Sequence, residues 1–173
     1  NVFPPLSEAA ALSTDDTAQQ EWQQFLAAVF TQYQHRVDTF EIGNTPNRGR
    51  WSGFSARTFI TAWGLAMETA GDYELKLAGP NVSDFEPLYN SGFLSMINRL
   101  PGNGPAVHTD NLFVERVVEP EAFDHRVLGR MATNILKLNL IKKARLLRLV
   151  GIEANCIEFY CTYTCWTMKR LKR

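Results

Sequence analysis

The chain has 173 residues, of which 45% are hydrophobic and 12% aromatic, and its formal net charge at pH 7 is +0. This composition excludes an intrinsically disordered chain and is typical of one globular domain. The sequence contains neither an apolar run of about 20 residues, which a membrane span requires, nor a signal-peptide pattern.

The charge and the cysteines are unevenly distributed. Residues 1–124 carry 16 acidic and 7 basic side chains, whereas residues 125–173 carry 2 acidic and 11 basic ones. This asymmetry is typical of a tail that binds nucleic acid or anionic membrane, or of two halves that pair in the folded protein. We favour the second interpretation and expect no nucleic-acid partner. The spacing of Cys156, Cys161 and Cys165 fits no common zinc site or disulfide framework, so we expect free thiols, no metal, no cofactor and a cytoplasmic location.

Helical and strand patterns alternate in the first half of the chain. Apolar residues recur at helical spacing from Trp22 to Tyr33, and the preceding Asp15 favours an N-cap. The predicted elements are a helix over 14–34, a strand over 37–42, a helix over 55–70 that Gly71 ends, and a strand over 75–78 that a Gly-Pro-Asn turn ends at 79–81.

The second half continues the alternation. Its sequence pattern predicts a third helix around residues 89–97, a brief strand over 106–108, a basic amphipathic helix over 128–150 and a strand with its following loop over 156–166. Such alternation is typical of an α/β fold with parallel strands and crossover helices. The basic helix over 128–150 is typical either of an outer helix with a solvated face or of a membrane-surface contact; we favour the outer helix.

Two segments resemble a known enzyme family. The residues FEIGNTPN (40–47), followed by WSGFS (51–55), resemble the fourth strand of (β/α)8 glycoside hydrolases of the β-xylosidase and α-iduronidase type, which reads roughly EIGNEPN. The residues LAGPNVSDFEP (77–87) resemble their next strand. The resemblance implies a glycoside hydrolase-like protein that acts on a polysaccharide or glycoconjugate. Because a complete TIM barrel needs about 200 residues or more, we expect one domain over 1–173 that forms a partial (β/α)8 barrel and belongs to a longer chain.

The same resemblance implies a sugar site at the ends of the strands. Asn44 matches the Asn that hydrogen-bonds the sugar 2-hydroxyl, and Trp51 is a candidate platform for stacking on a sugar face. Thr45 stands where these families have the catalytic acid/base Glu, and its hydroxyl does not ionise near neutral pH. The remaining candidates for substrate binding are Asn47, Asn81, His108 and Asn111.

Glu158 is the candidate nucleophile, because Asn155–Phe159 resembles the pattern at the end of the seventh strand in these families. Glu41 lies on the same strand face as Thr45 but about 13 Å deeper, so the sequence assigns it no catalytic role. Three interpretations stay open. They are a glycosidase whose proton donor is unidentified, a catalytically silent carbohydrate-binding relative, and an unrelated α/β domain whose basic helix binds an anionic surface.

Overall fold

Four parallel strands form a single sheet in a computed structural model that describes residues 1–102, 104–114 and 140–165. The strands are β1 (Thr39–Glu41), β2 (Lys76–Ser83), β3 (Val107–Val114) and β4 (Glu158–Cys165), and they lie in chain order across the sheet. The helices are α1 (Leu6–Ala11), α2 (Asp16–Tyr33), α3 (Gly49–Ser52), α4 (Ala56–Gly71), α5 (Pro87–Ile97) and α6 (Leu140–Glu153). The predicted α/β fold with parallel strands and helices between them is confirmed.

Helix α2 forms where the apolar spacing predicts it. The Asp15 side chain caps the helix by accepting a hydrogen bond of 2.9 Å from the backbone N–H of Thr17. Trp22, Leu26 and Phe30 are buried in the main core. The indole N–H of Trp22 also donates to a carbonyl of α4, which fixes the two helices against each other.

Helix α4 begins and ends by different devices. At its start, Ser55 and Thr58 form a reciprocal capping box. At its end, Gly71 is the last helical residue, but the left-handed conformation belongs to Glu74, with φ of 55°. The prediction that Gly71 ends the helix through its own backbone freedom is therefore wrong.

Strand β2 is longer than predicted. Pro80 pairs with Thr109 and Val82 pairs with Asp110, so Asn81 lies at a bulge inside the strand, with φ of 54°. Proline within a sheet is confined to edges and bulges because it lacks an N–H donor. The predicted turn at residues 79–81 is wrong for this reason: the chain bulges there and then continues as a strand.

The helices within residues 1–102, 104–114 and 140–165 pack on one face of the sheet. Because parallel crossovers are nearly always right-handed, strands that follow chain order collect their crossover helices on the same side. Phe40, Leu77 and Phe159 are among the residues that face the helices. We call the opposite side, which carries Glu41, Ala78, Val107 and Glu158, the open face.

The predicted basic helix is described only in part. Its residues 140–150 belong to α6, which extends to Glu153, and its residues 128–139 lie outside the described part of the chain. Lys143 of α6 is buried, with its ammonium group 5.7 Å from the centre of the Phe85 ring, so this basic residue faces the core. Among the described helices, none is both long enough and apolar enough to cross a membrane.

Candidate functional site

The open face holds a cavity of about 870 Å³. Its lining includes alternate residues of the four strands, because every second side chain of a strand points to the same face. Glu41, Ala78, Val107 and Glu158 pair in one row that crosses the sheet from β1 to β4. This row brings two carboxyl groups to one cavity, and neighbouring strands about 4.8 Å apart put their Cα atoms about 14 Å from each other.

Glu41 is the carboxyl group at the β1 side of the cavity. One of its oxygens, Oε2, accepts a hydrogen bond of 3.2 Å from the side-chain amide of Asn81. Burial raises the pKa of Glu41 above its ordinary value, while a hydrogen bond with the Thr109 side chain and the charge of the amino terminus oppose the shift. Since burial is the largest of these effects, the net shift in the pKa of Glu41 is upward.

Glu158 lies at the β4 side in a different environment. It is the first residue of its strand and is exposed, between the exposed side chains of Ile157 and Tyr160. Because Thr162 pairs with Asn111, Glu158 lies four residues nearer the amino edge of the sheet than this candidate, about 13 Å along the strand. Glu158 therefore begins β4 and does not lie at the end of the strand, as the resemblance implied. Its role as nucleophile remains a prediction.

The loop after β1 is held to the end of β2. Thr45 has φ of 49°, which is unusual for a β-branched residue, and its backbone N–H donates over 3.1 Å to the carbonyl of Asn81. Asn47 is buried, and its amide both donates to and accepts from the backbone of Ser83. Asn47 thus positions this loop through its side chain, while Asn44 beside it is only half-buried.

An ion pair that the sequence did not indicate reinforces this connection. Arg48 pairs with the carboxylate of Asp84 and lies 3.9 Å from Oε1 of Glu86. Asp84 and Glu86 are both buried, at 4% and 7% exposure. The partners are 36 residues apart in the sequence, so local spacing carries no signal that joins them.

His108 lies on the helix side of β3, away from the cavity. It is fully buried, and its Nε2 lies 2.7 Å from Oδ1 of Asn90, whose amide donates over 2.8 Å to Asp110. Burial lowers the pKa of His108 to about 4, and burial together with the carboxylates of Asp84 and Glu86 raises the pKa of Asp110. The geometry makes His108 part of a polar connection between β3 and α5, and its predicted contact with sugar stays a prediction.

The other candidates lie near the carboxyl ends of the strands. Asn81 is buried and faces Glu41. Asn111 is half-buried in β3 and pairs with Ser83. Trp51, in the short helix α3, leaves 80% of its surface exposed, so its ring is available for stacking. The structure therefore brings Asn44, Thr45, Asn81 and Asn111 to one edge of the sheet and leaves Trp51 on the surface beside it.

Neither protein-family models nor curated proteins of known function match the chain. Within residues 1–102, 104–114 and 140–165, there is no group of three or more His, Cys, Asp or Glu side chains placed to hold a metal ion. The cavity offers two glutamate carboxyl groups in unlike environments, and its lining adds threonine hydroxyls and the ring of Tyr160. Sugar sites are typically built from such groups, since sugars present both apolar faces and hydroxyl edges.

Proposed function

We propose that this chain is part of a (β/α)8 glycoside hydrolase-like protein that binds a polysaccharide or glycoconjugate at the carboxyl ends of its strands. The observation that carries the proposal is that, within the described part of the chain, an all-parallel sheet has its helices on one face. Such sheets occur almost only where both faces are covered. A barrel satisfies this rule because the sheet closes on itself and fills its own interior, and strands in chain order are the arrangement that a barrel requires.

The placement of the polar side chains supports the same proposal. In barrels of this class the site lies at the carboxyl ends of the strands. Asn44, Thr45, Asn81 and Asn111 lie at or near those ends. Their amides and hydroxyl are suited to the hydroxyl groups of a sugar, and Trp51 supplies an exposed aromatic face.

Glu158 supplies the carboxylate that hydrolysis requires. A glycosidase needs one carboxyl group to protonate the leaving oxygen and a second to attack the anomeric carbon or to activate water. The resemblance gives Glu158 the second role, and Glu158 is exposed and lines the cavity. In this proposal it attacks the anomeric carbon.

The test is hydrolysis of a panel of aryl glycosides and polysaccharides, measured through the phenol or the reducing ends that hydrolysis releases. We expect Glu158→Gln to lose at least 100-fold in rate and Glu153→Gln to keep the rate of the unmodified protein, because Glu153 is exposed at the end of α6, away from the cavity lining. Equal rates for both variants would exclude Glu158 as the nucleophile.

A second function, carbohydrate binding without catalysis, is favoured by one observation. Thr45 occupies the position at which the families that the chain resembles have the acid/base Glu. Its backbone has φ of 49° and belongs to the loop that is bonded to the end of β2. If the unmodified protein binds oligosaccharides without hydrolysing them and Thr45→Glu creates hydrolysis, the binding function is supported. If Thr45→Glu leaves an existing rate unchanged, the catalytic function is supported.

A further inference from the structure

We propose that Arg48 is a positioning residue of this site and holds Trp51 in place for stacking on a sugar. This inference rests on the proposed function and deepens it, because it names what fixes the aromatic side of the sugar site. Trp51 leaves 80% of its surface exposed, so packing around the ring contributes little to its position. The ring is placed by the backbone of α3, and Arg48 connects that backbone to the sheet.

The side chain of Arg48 reaches the carboxyl end of β2. Its guanidinium pairs with the carboxylate of Asp84, and Nη2 lies 3.9 Å from Oε1 of Glu86. The side chain of Arg48 is 15% exposed, and both acidic residues are buried. An ion pair that is largely shielded from water holds a defined geometry, and the planar guanidinium suits contact with more than one carboxylate oxygen. The side chain therefore ties this part of the loop to the segment that follows β2.

The backbone of Arg48 begins α3. Its carbonyl accepts hydrogen bonds of 2.8 Å from the N–H of Trp51 and of 3.0 Å from the N–H of Ser52. The helix (Gly49–Ser52) is one turn long, and the side chain of Arg48 does not cap it. A single helical turn is not stable without tertiary contacts. The ion pair supplies such a contact at the start of α3, directly before the turn that carries Trp51.

The other end of α3 is held by the core. Phe54 is buried, and the centre of its ring lies 5.4 Å from that of Phe59. This packing fixes where the chain leaves α3, whereas Arg48 fixes where the helix begins. Both anchors are needed to set the direction of the helix, and Trp51 lies between them.

Thr45 depends less on the ion pair, although it belongs to the same loop. Its N–H donates over 3.1 Å to the backbone of β2, and Asn47 forms two hydrogen bonds with the backbone of Ser83. These bonds connect the first part of the loop to β2 without the guanidinium. Loss of the guanidinium should therefore displace Trp51 and leave Thr45 in place.

A double-mutant cycle tests this relation through the affinity for an oligosaccharide panel that includes xylo-oligosaccharides, measured by calorimetry. Trp51→Ala should weaken binding by about 3- to 10-fold, which is the contribution of aromatic stacking. Arg48→Gln should weaken it to a similar extent. In the Trp51→Ala background, however, Arg48→Gln should weaken it by less than about twofold, because residues that act through one another have non-additive effects. Losses that multiply in the double variant would overturn the inference.

Two further variants make the cycle decisive. Arg57→Gln is the matched control, because Arg57 is exposed in the first turn of α4, and we expect it to retain binding. Arg48→Gln takes the guanidinium away from a buried carboxylate, which is strongly destabilising. If this variant does not fold, Arg48→Lys replaces it in the cycle, because the ammonium keeps the charge but lacks the planar fork. The same two outcomes then decide.

A second measurement is independent of sugar. In protein labelled with 5-fluorotryptophan, the fluorine NMR line of Trp51 is assigned by its loss in Trp51→Phe. Arg48→Lys should shift this line and leave the line of Trp22, which is buried on α2, unchanged. An unshifted Trp51 line would overturn the inference. If the unmodified protein binds no oligosaccharide, the proposed function fails and the inference falls with it, whereas binding with losses that multiply overturns only the inference.

Discussion

Asn47 and Ser83 are joined by two hydrogen bonds, one of 2.9 Å from the Asn47 amide to the Ser83 carbonyl and one of 3.0 Å from the Ser83 N–H to the Asn47 side-chain oxygen. The side chain thereby replaces a strand partner at the carboxyl end of β2. It holds the loop after β1 in a fixed position, and Asn44 and Thr45 belong to that loop. The resemblance implied that Asn47 contacts sugar, but both sides of its amide already bond to the protein.

Asn47→Ala should therefore destabilise the protein. The substitution leaves a buried N–H and a buried carbonyl without the partner that Asn47 provides, which costs about 2–3 kcal/mol. Asn44→Ala is the matched control, since Asn44 is half-exposed three residues earlier, and we expect it to change the free energy of unfolding by less than about 1 kcal/mol. Urea denaturation of the two variants decides this, and equal stabilities would contradict the structural role of Asn47.

The sequence predicts what local spacing determines. Trp22, Leu26 and Phe30 recur at helical spacing, so their burial in α2 was foreseeable. Pro80 and Asn81 read as a turn because the bulge depends on pairing with β3, nearly 30 residues later in the chain. The burial of His108 on the helix side of β3 could not be predicted for a different reason. Strand alternation divides the side chains between two faces but does not indicate which face packs against helices. The Arg48 and Asp84 pair and the contact of Glu41 with Asn81 also join distant segments, so no local pattern indicates them.

Thr45→Asn should stabilise the protein. A left-handed backbone costs an L-residue about 1–2 kcal/mol, and Asn tolerates it better than a β-branched residue. We expect a gain of about 0.5–1 kcal/mol in the free energy of unfolding. Thr45→Val keeps the β-branch and should show no gain. If both variants unfold at the same urea concentration, the φ of 49° at Thr45 imposes no measurable cost.

Gly151→Ala and Gly92→Ala should have opposite effects, although both glycines lie within helices. Alanine inside a helix is normally favoured over glycine by about 0.5–1 kcal/mol. A Cβ atom at Gly92 meets nothing within 4 Å, whereas one at Gly151 lies 2.7 Å from Nδ1 of His108. We therefore expect Gly92→Ala to raise the melting temperature and Gly151→Ala to lower it. An increase in both variants would show that α6 does not pack closely on His108.

His108 should make stability depend on pH in mildly acidic solution. Its pKa falls from 6.5 to about 4 on folding, so between these values the unfolded chain binds the extra proton. This contribution to stability is complete above pH 6.5 and is lost as the pH falls toward 4, by about 1.4 kcal/mol per pH unit.

Asp110 and Glu41 act in the opposite direction, because their pKa values rise on folding and the stability they contribute is lost as the pH increases. The measurement is therefore the difference in the free energy of unfolding between the unmodified protein and His108→Gln, followed from pH 7 to pH 4. This difference should shrink as the pH falls. A constant difference would mean that His108 titrates normally in the folded protein.

The central claim is that carbohydrate binds at the carboxyl ends of the strands, and removing the exposed aromatic ring beside them tests it most directly. Trp51 is 80% exposed there, so Trp51→Ala removes a platform for stacking on a sugar face. Leu88→Ala is the control, because Leu88 is 71% exposed on α5. We would measure binding of an oligosaccharide panel that includes xylo-oligosaccharides, by calorimetry, to the unmodified protein and to both variants. The account predicts binding that Leu88→Ala retains and Trp51→Ala weakens. An absence of binding to the unmodified protein, or equal binding to both variants, would contradict it.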